Sequence, residues 1–222
     1  MTVQFDIDQI GWGAQKVFDD YTLYDYSKPE NYWVPVEYVI HYGGNATKAA
    51  PNPAWESWAL RVYEQSHLSR GWRALAYNYG VGNSGLVYRI RGENLPAATF
   101  GVNGITKAIL WIGGKGQEPS DAAKASVSRI INTDPMPVYP HSFYRITNCP
   151  GSAWREWINN FEVGVGEMPR ILFEGMIDAL FAADGEFQPN DGAQFWKDLI
   201  DDPTNWQWDA HFWPAFTRMV TA

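Results

Sequence analysis

The sequence predicts an α/β fold in which a mixed central β-sheet is flanked by helices and followed by a helical C-terminal extension. Short apolar runs alternate with longer segments of helical periodicity, an order typical of sheets covered by helices. Two of the apolar runs are joined by a turn that is bracketed by glycines, which indicates a β-hairpin. The pattern changes after about residue 163, where aromatic segments of helical character follow one another.

The first half of the predicted sheet contains three apolar runs and one helix. Residues 37–41 predict a strand that ends in a Gly-Gly-Asn loop signal. Residues 54–68 have the apolar spacing of a partly buried helix. Residues 74–81 and 86–90, joined by Gly-Asn-Ser-Gly, predict the two strands of the hairpin.

The second half of this region continues the alternation. Residues 108–112 predict a central strand. A helix is predicted from Pro-Ser-Asp at 119–121 to about residue 131, with Ser120 as its N-cap. Residues 135–150 are predicted to form a loop, and residues 152–161 a further helix.

The rest of the chain predicts a second region. Residues 168–183 and 191–220 have helical, aromatic-rich patterns, and no Gly/Ser/Pro linker precedes them. We therefore divide the chain into one domain over 1–163 and a helical, aromatic-rich extension over 164–222. The tryptophans of the extension either pack on the first domain or bind sugars, and both interpretations stay open.

Composition and charge exclude several classes of function. The net charge is -8 and the pI is near 4.9, and no Lys/Arg cluster offsets this charge, so a nucleic-acid partner is not expected. No apolar run approaches the roughly 18 residues of a membrane span. The first eight residues lack the basic and apolar regions of a signal peptide, so we expect a cytoplasmic product that is released by other means.

Two histidines and the single cysteine form a candidate metal site. His41 ends a predicted strand, where open α/β sheets present ligands, and His141 and Cys149 lie eight residues apart on one predicted loop. Imidazole and thiolate suit zinc, and three protein ligands leave a fourth position for water, as in catalytic sites. Taken alone, the three residues are also compatible with unrelated core or surface positions, and Cys149 with a buried thiol or a nucleophile.

A series of short motifs gives these residues a context. The motifs are Trp-Gly-Ala at 12–14, Val-Ile-His at 39–41, Ser-His-Leu-Ser-Arg-Gly-Trp at 66–72 with Tyr-Asn-Tyr at 77–79, Gly-Leu-Val-Tyr-Arg-Ile-Arg-Gly at 85–92, the run from Asn103 to Gly113, Pro-Ser at 119–120, and the segment from His141 to Gly151 with its Cys-Pro-Gly. In this order, from about residue 10 to about residue 160, the chain resembles the zinc-dependent N-acetylmuramoyl-L-alanine amidase superfamily. That superfamily includes phage amidase lysozymes and peptidoglycan recognition proteins.

The resemblance implies a site and a reaction. At the matched positions, His41, His141 and Cys149 would hold Zn2+, while Tyr77 and Thr147 would be the further active-site residues that support the developing oxyanion. The implied activity is hydrolysis, by a zinc-activated water, of the amide between N-acetylmuramic acid and the L-alanine of peptidoglycan. The missing signal peptide and the compact length favour a phage endolysin, which degrades the host cell wall after release from the host cytoplasm.

Several positions depart from the family pattern. Ala98 stands where the family often has a histidine that is not usually a zinc ligand, and Tyr42 replaces the second of two paired histidines. The family's His-Arg-Asp is His141-Ser142-Phe143 here. We therefore expect other contacts to hold the loop that carries His141.

Two other functions are compatible with the sequence. The chain could be a non-catalytic peptidoglycan-binding module, but such members commonly lose the cysteine that is present here. It could also be a virion-associated structural protein with a vestigial amidase fold, which the altered positions favour and the complete ligand set does not. Zinc content is the discriminating measurement, because the amidase requires the metal and a binding module does not.

Overall fold

The described part of the chain is built on a mixed β-sheet, as predicted, and this sheet has five strands. In this computed structural model, residues 3–44, 51–114 and 116–161 are described, and all of them belong to one unit that spans Met1–Gly164. The strands are β1 (Glu37–Tyr42), β2 (Tyr79–Val81), β3 (Val87–Arg89), β4 (Thr106–Trp111) and β5 (Val138–Pro140). Their order is β3-β2-β4-β1-β5, and only the β2–β3 pair among them is antiparallel.

Three of the described α-helices begin at a residue whose side chain caps them. The described α-helices are α1 (Gln9–Trp12), α2 (Pro53–Leu68), α3 (Asp121–Thr133) and α4 (Ser152–Asn160). Asn52 caps α2 by accepting from the backbone N–H groups of Ala54 and Trp55, which satisfies donors that have no partner in the first helical turn. The predicted cap Ser120 accepts from the N–H of Ala123 and begins α3.

The helices cover the sheet on both faces. Helix α2 contributes Leu60 and Tyr63 to a hydrophobic cluster that also contains Leu110 of β4. Helices α3 and α4 contribute to a second cluster, which contains Ile40 of β1 and Ile109 of β4. Because neighbouring side chains of a strand point to opposite faces, His41 points to the same face as α2.

The prediction of a continuous loop over 135–150 is wrong at residues 138–140. These residues form β5, which pairs in parallel with β1 at the edge of the sheet. Pro137 precedes the run and Pro140 is its last residue, and prolines are tolerated at sheet edges because a missing N–H there need not break a ladder. Because prolines are rare in strands, the sequence pattern alone does not predict this strand.

The predicted strand over 74–81 is also shorter than expected. Only Tyr79–Val81 form β2. Just before this strand, the side chain of Asn78 makes hydrogen bonds to the backbone of neighbouring segments. The Asn78 amide donates to the carbonyls of Gly92 and Asn94, 2.8 and 2.7 Å away, and its oxygen accepts from the N–H of Ala108. Tyr77 therefore lies in a connecting segment and not on a hairpin strand.

The predicted extension over 164–222 and its boundary at 163 lie outside the described residues. Within the described ranges, no helix is both long enough and apolar enough to cross a membrane.

Candidate metal centre

The sheet register brings the two histidines together. Strands β1 and β5 are parallel neighbours with Ile40 opposite Pro140, so His41 and His141 follow at the same carboxyl end. Their ring centroids lie 4.4 Å apart. His41 is 2% exposed, while His141 is partly exposed at the mouth of the site.

The third residue arrives on the loop between β5 and α4. The Sγ of Cys149 lies 4.0 Å from Nδ1 of His41 and accepts a hydrogen bond of 3.3 Å from the N–H of Tyr42. The N–H of Ser142 donates to the carbonyl of Cys149 at 2.9 Å and so closes the loop. Thr147 lies within this loop, where its hydroxyl accepts from the N–H of Cys149 at 3.2 Å.

Together the three side chains fit a single metal ion. One ligand atom of each of His41, His141 and Cys149 lies within 4.8 Å of the other two. Zinc takes imidazole nitrogens at about 2.0–2.1 Å and thiolate sulfur at about 2.3 Å, so the three ligand atoms would move closer together around a bound ion. The donors match the borderline-soft character of zinc, and no carboxylate joins this group among the described residues.

The electrostatics keep the imidazoles neutral. Burial lowers the pKa of His41 well below its usual value, and the neighbouring His141 lowers it further. Burial also lowers the pKa of His141, with a contribution from Arg145. Neutral imidazoles retain the lone pair that a metal needs. Burial raises the pKa of Cys149 to about 12, and a cation bound beside the thiol offsets this effect.

Tyr77 borders the three ligands. Its ring centroid lies 5.2 Å from that of His41, and burial raises the pKa of its hydroxyl, so the hydroxyl keeps its proton at neutral pH. The neighbouring segment is fixed by His67, whose Nδ1 accepts from the N–H of Ala76 at 3.2 Å. Burial lowers the pKa of His67 to about 4, so this acceptor role persists at neutral pH.

Known proteins share this fold and this sequence pattern. No family model matches the chain. Peptidoglycan-recognition protein LE of Drosophila melanogaster is 34% identical over 109 residues, which make up 48% of this chain and 29% of that protein. The crystal structure of peptidoglycan recognition protein-LE in complex with tracheal cytotoxin, a monomeric diaminopimelic acid-type peptidoglycan, is 28% identical with a TM-score of 0.59, over 70% of this chain and 92% of that one. In sequence and in fold, the chain is therefore similar to peptidoglycan recognition proteins.

Peptidoglycan recognition proteins of lower identity have the same fold. Human PGRP-IBETAC in complex with glycosamyl muramyl pentapeptide has 20% identity and a TM-score of 0.58, over 71% of this chain and 96% of that chain. Wild-type Drosophila PGRP-LB has 20% identity and a TM-score of 0.57, over 72% and 98%. The match to the curated relative spans less than a third of that protein's length.

A hydrogen bond and a ring contact hold the loop that carries His141. The hydroxyl of Tyr144 donates to the buried carboxyl group of Glu37 at 2.5 Å. Phe143 stacks on Tyr139 of β5 with 4.8 Å between ring centroids. The expectation that other contacts replace those of the family's His-Arg-Asp is therefore confirmed.

The structure adds one residue that the motifs do not single out. Thr99 is completely buried, and its hydroxyl oxygen lies 3.1 Å from Nε2 of His41. It follows Ala98, the position at which the superfamily often has a histidine. Thr99 and His41 are separated by 58 residues in the sequence, and no local spacing rule connects residues that far apart. The one sequence signal near Thr99 is Ala98, which departs from the family pattern.

Proposed function

We propose that this chain is a zinc-dependent N-acetylmuramoyl-L-alanine amidase, which cleaves the amide bond between the lactyl group of N-acetylmuramic acid and L-alanine. The observation that carries the proposal is the convergence of His41, His141 and Cys149 at one end of the sheet. A binding-only module has no need for three such donors within reach of one ion.

The chemistry of the donors supports this assignment. His41, His141 and Cys149 would hold the ion, and three protein ligands leave a further position for water or substrate, as in catalytic zinc sites. When bound there, zinc supplies a Lewis acid that polarises the amide carbonyl and lowers the pKa of water from about 15.7 toward 7.

The neighbouring side chains supply hydrogen bonds. The hydroxyl of Tyr77 keeps its proton because burial raises its pKa, so it can donate to the oxygen of the scissile carbonyl as negative charge develops. The hydroxyl of Thr147 accepts from the N–H of Cys149 and retains its own proton for the same purpose. Both groups stabilise charge without carrying one themselves.

The surroundings suit an anionic substrate although the whole chain carries a net charge of -8. Three arginine side chains contribute positive charge near the site. Arg145 lowers the pKa of His141, Arg155 that of Cys149, and Arg70 that of Tyr77. The stem peptide of peptidoglycan carries carboxylates. Two solved relatives hold peptidoglycan fragments, and we extend that partner to this chain.

The biological role that we propose is that of a phage endolysin. Such an enzyme accumulates in the host cytoplasm and degrades the cell wall during cytolysis once it is released. The support for this role is the series of ordered motifs, which resembles a superfamily that includes phage amidase lysozymes.

Zinc content tests the metal assignment. We expect about one zinc per chain in freshly purified protein and a large loss in Cys149→Ser, because the hydroxyl is a much poorer ligand than a thiolate. Elemental analysis of both proteins in parallel makes the comparison. Equal zinc in the two would show that the metal, if any, is bound elsewhere.

Product analysis tests the reaction itself. Purified sacculi incubated with the protein should release new L-alanine amino termini, and a chelator should abolish this release. A protein that carries zinc and binds sacculi without releasing amino termini would instead be a binding module.

A further inference from the structure

Thr99 lies beside the candidate metal centre, where its side chain contacts His41. It is completely buried, and its Oγ1 lies 3.1 Å from Nε2 of His41, within hydrogen-bonding distance. His41 is itself 2% exposed. Water therefore has little access to this ring nitrogen, and the threonine hydroxyl takes the place of a water partner.

The two ring nitrogens of His41 face different neighbours. Nδ1 is the nitrogen near Cys149, 4.0 Å from its Sγ, while Nε2 faces Thr99. A metal that Cys149 also binds must therefore approach Nδ1 and needs the lone pair there. A neutral imidazole carries one proton, which then resides on Nε2 and is donated to the hydroxyl oxygen of Thr99.

We propose that Thr99 is a positioning residue that holds the His41 ring in the orientation and tautomer in which Nδ1 faces the metal. This inference rests on the proposed zinc function and deepens it. Partners of this kind fix the tautomer of histidine ligands, and their loss typically costs about 10–100-fold in metal affinity or activity.

Thr99 is well suited to this task because its own backbone is fixed. Its N–H donates to the side-chain oxygen of Asn103 at 2.9 Å, and its carbonyl accepts from the N–H of Val102 at 3.1 Å. These bonds close a tight turn over 99–103 that presents the hydroxyl to β1. The orientation of His41 is thus tied to a separate segment of the fold.

Substitutions at Thr99 separate the effect of its hydroxyl group from the effect of its side-chain shape. Thr99→Val keeps the shape of the side chain and removes the acceptor, Thr99→Ser keeps the acceptor, and Thr99→Ala removes it with no risk of steric conflict. Thr106→Val is the matched control, because Thr106 is equally buried and its hydroxyl has no hydrogen-bond partner among the described residues. Near-ultraviolet circular dichroism of each variant checks the fold.

Two measurements follow the role of Thr99 independently of catalysis. The first is the tautomer of His41 in metal-free protein, from side-chain 15N NMR assigned with the aid of a His41→Gln variant. The second is zinc affinity, from competition with a chromophoric chelator. We expect Thr99→Val and Thr99→Ala to lose the preference for a proton on Nε2 and to bind zinc about 10–100-fold more weakly. Thr99→Ser and Thr106→Val should resemble the parent.

Three outcomes would overturn the proposal. They are parental tautomer and zinc affinity in Thr99→Val, a loss in Thr99→Ser as large as that in Thr99→Val, or the same loss in Thr106→Val. The tautomer measurement needs neither metal nor substrate. A parent protein without amidase activity would therefore count against the proposed function and leave the test of Thr99 intact.

Discussion

At the scale of single residues, Tyr77 allows zinc binding and catalysis to be tested separately. Its ring lies beside His41, but its hydroxyl belongs to no ligand set, since phenol is not among the usual donors to zinc. The metal centre can therefore form without this hydroxyl. What the hydroxyl offers is a hydrogen bond to charge that develops only during the reaction.

Tyr77→Phe should therefore lower turnover and leave the metal in place. The substitution keeps the ring that packs near His41 and His67 and removes only the donor. Loss of one such donor typically lowers kcat by about 10²–10³-fold. The measurement is the initial rate of amino-terminus release from sacculi, together with zinc content and melting temperature, both of which should stay at the parental values.

The exposed Tyr32 provides a control for this substitution. Its side chain is 59% exposed, so Tyr32→Phe should retain the parental rate. A Tyr77→Phe variant as fast as the parent would mean that Tyr77 is only a packing residue. A variant that loses zinc would mean that it supports the ligands instead.

The residues of the site differ in how far the sequence reveals them. His41, His141 and Cys149 follow from their places in ordered motifs, and the structure brings them together as the resemblance implied. Thr99 could not be predicted in the same way. Its contact with His41 depends on how a buried turn meets the end of β1, and hydrogen bonds between distant segments have no sequence period.

At the scale of secondary-structure elements, β1 links the candidate metal centre to the loop that carries His141. His41 lies near one end of this strand and Glu37 at its other end. Glu37 accepts from the hydroxyl of Tyr144, three residues beyond His141. One strand thus supplies a ligand from one end and, from the other, anchors the segment that carries a second ligand.

This anchor should make folding stability depend on pH. Burial raises the pKa of Glu37 to about 7, although the hydrogen bond from Tyr144 lowers it in part. Because the folded pKa lies above the unfolded value of about 4.5, the contribution of Glu37 is fully present below pH 4.5 and is lost as the pH rises to about 7. The loss amounts to at most about 3 kcal/mol.

Glu37→Gln should remove this dependence, since the amide oxygen still accepts from Tyr144 and cannot ionise. We expect the variant to gain stability over the parent as the pH rises from 4.5 to 7. Urea denaturation of metal-free protein at several pH values measures the difference, which avoids the pH dependence of metal binding. The exposed Glu156 gives the control, because Glu156→Gln should follow the parent. A constant difference between Glu37→Gln and the parent would contradict the prediction.

Elements with strong local signals were predicted well, and those that depend on distant partners were not. Helix α2 was expected over 54–68 and spans Pro53–Leu68, because apolar spacing and a cap define it locally. The sequence does not predict strand β5, because its three residues, the last of which is Pro140, become a strand only through pairing with β1. The same pairing places His141 beside His41. The strand that the sequence does not predict is therefore the one that brings the second histidine into the site.

At the scale of the whole molecule, the described unit contains all that the proposed metal centre requires. Both hydrophobic clusters, on the two faces of the sheet, are formed within it, and the ligands lie between residues 41 and 149. The alignment with peptidoglycan recognition protein-LE uses 70% of this chain and covers 92% of that solved chain. Part of this sequence thus covers nearly all of that solved chain.

We therefore expect residues 1–163 to fold without the remaining 59 residues of the 222. A chain that ends at residue 163 should unfold in one cooperative transition, carry about one zinc, and melt within about 4 °C of the full chain. A shift of that size corresponds to about 1 kcal/mol for a domain of this length. Calorimetry and elemental analysis of both chains provide the measurements. A shortened chain that aggregates or loses zinc would place residues beyond 163 in the same cooperative unit, because a metal centre survives truncation only if the strands that align its ligands keep their packing.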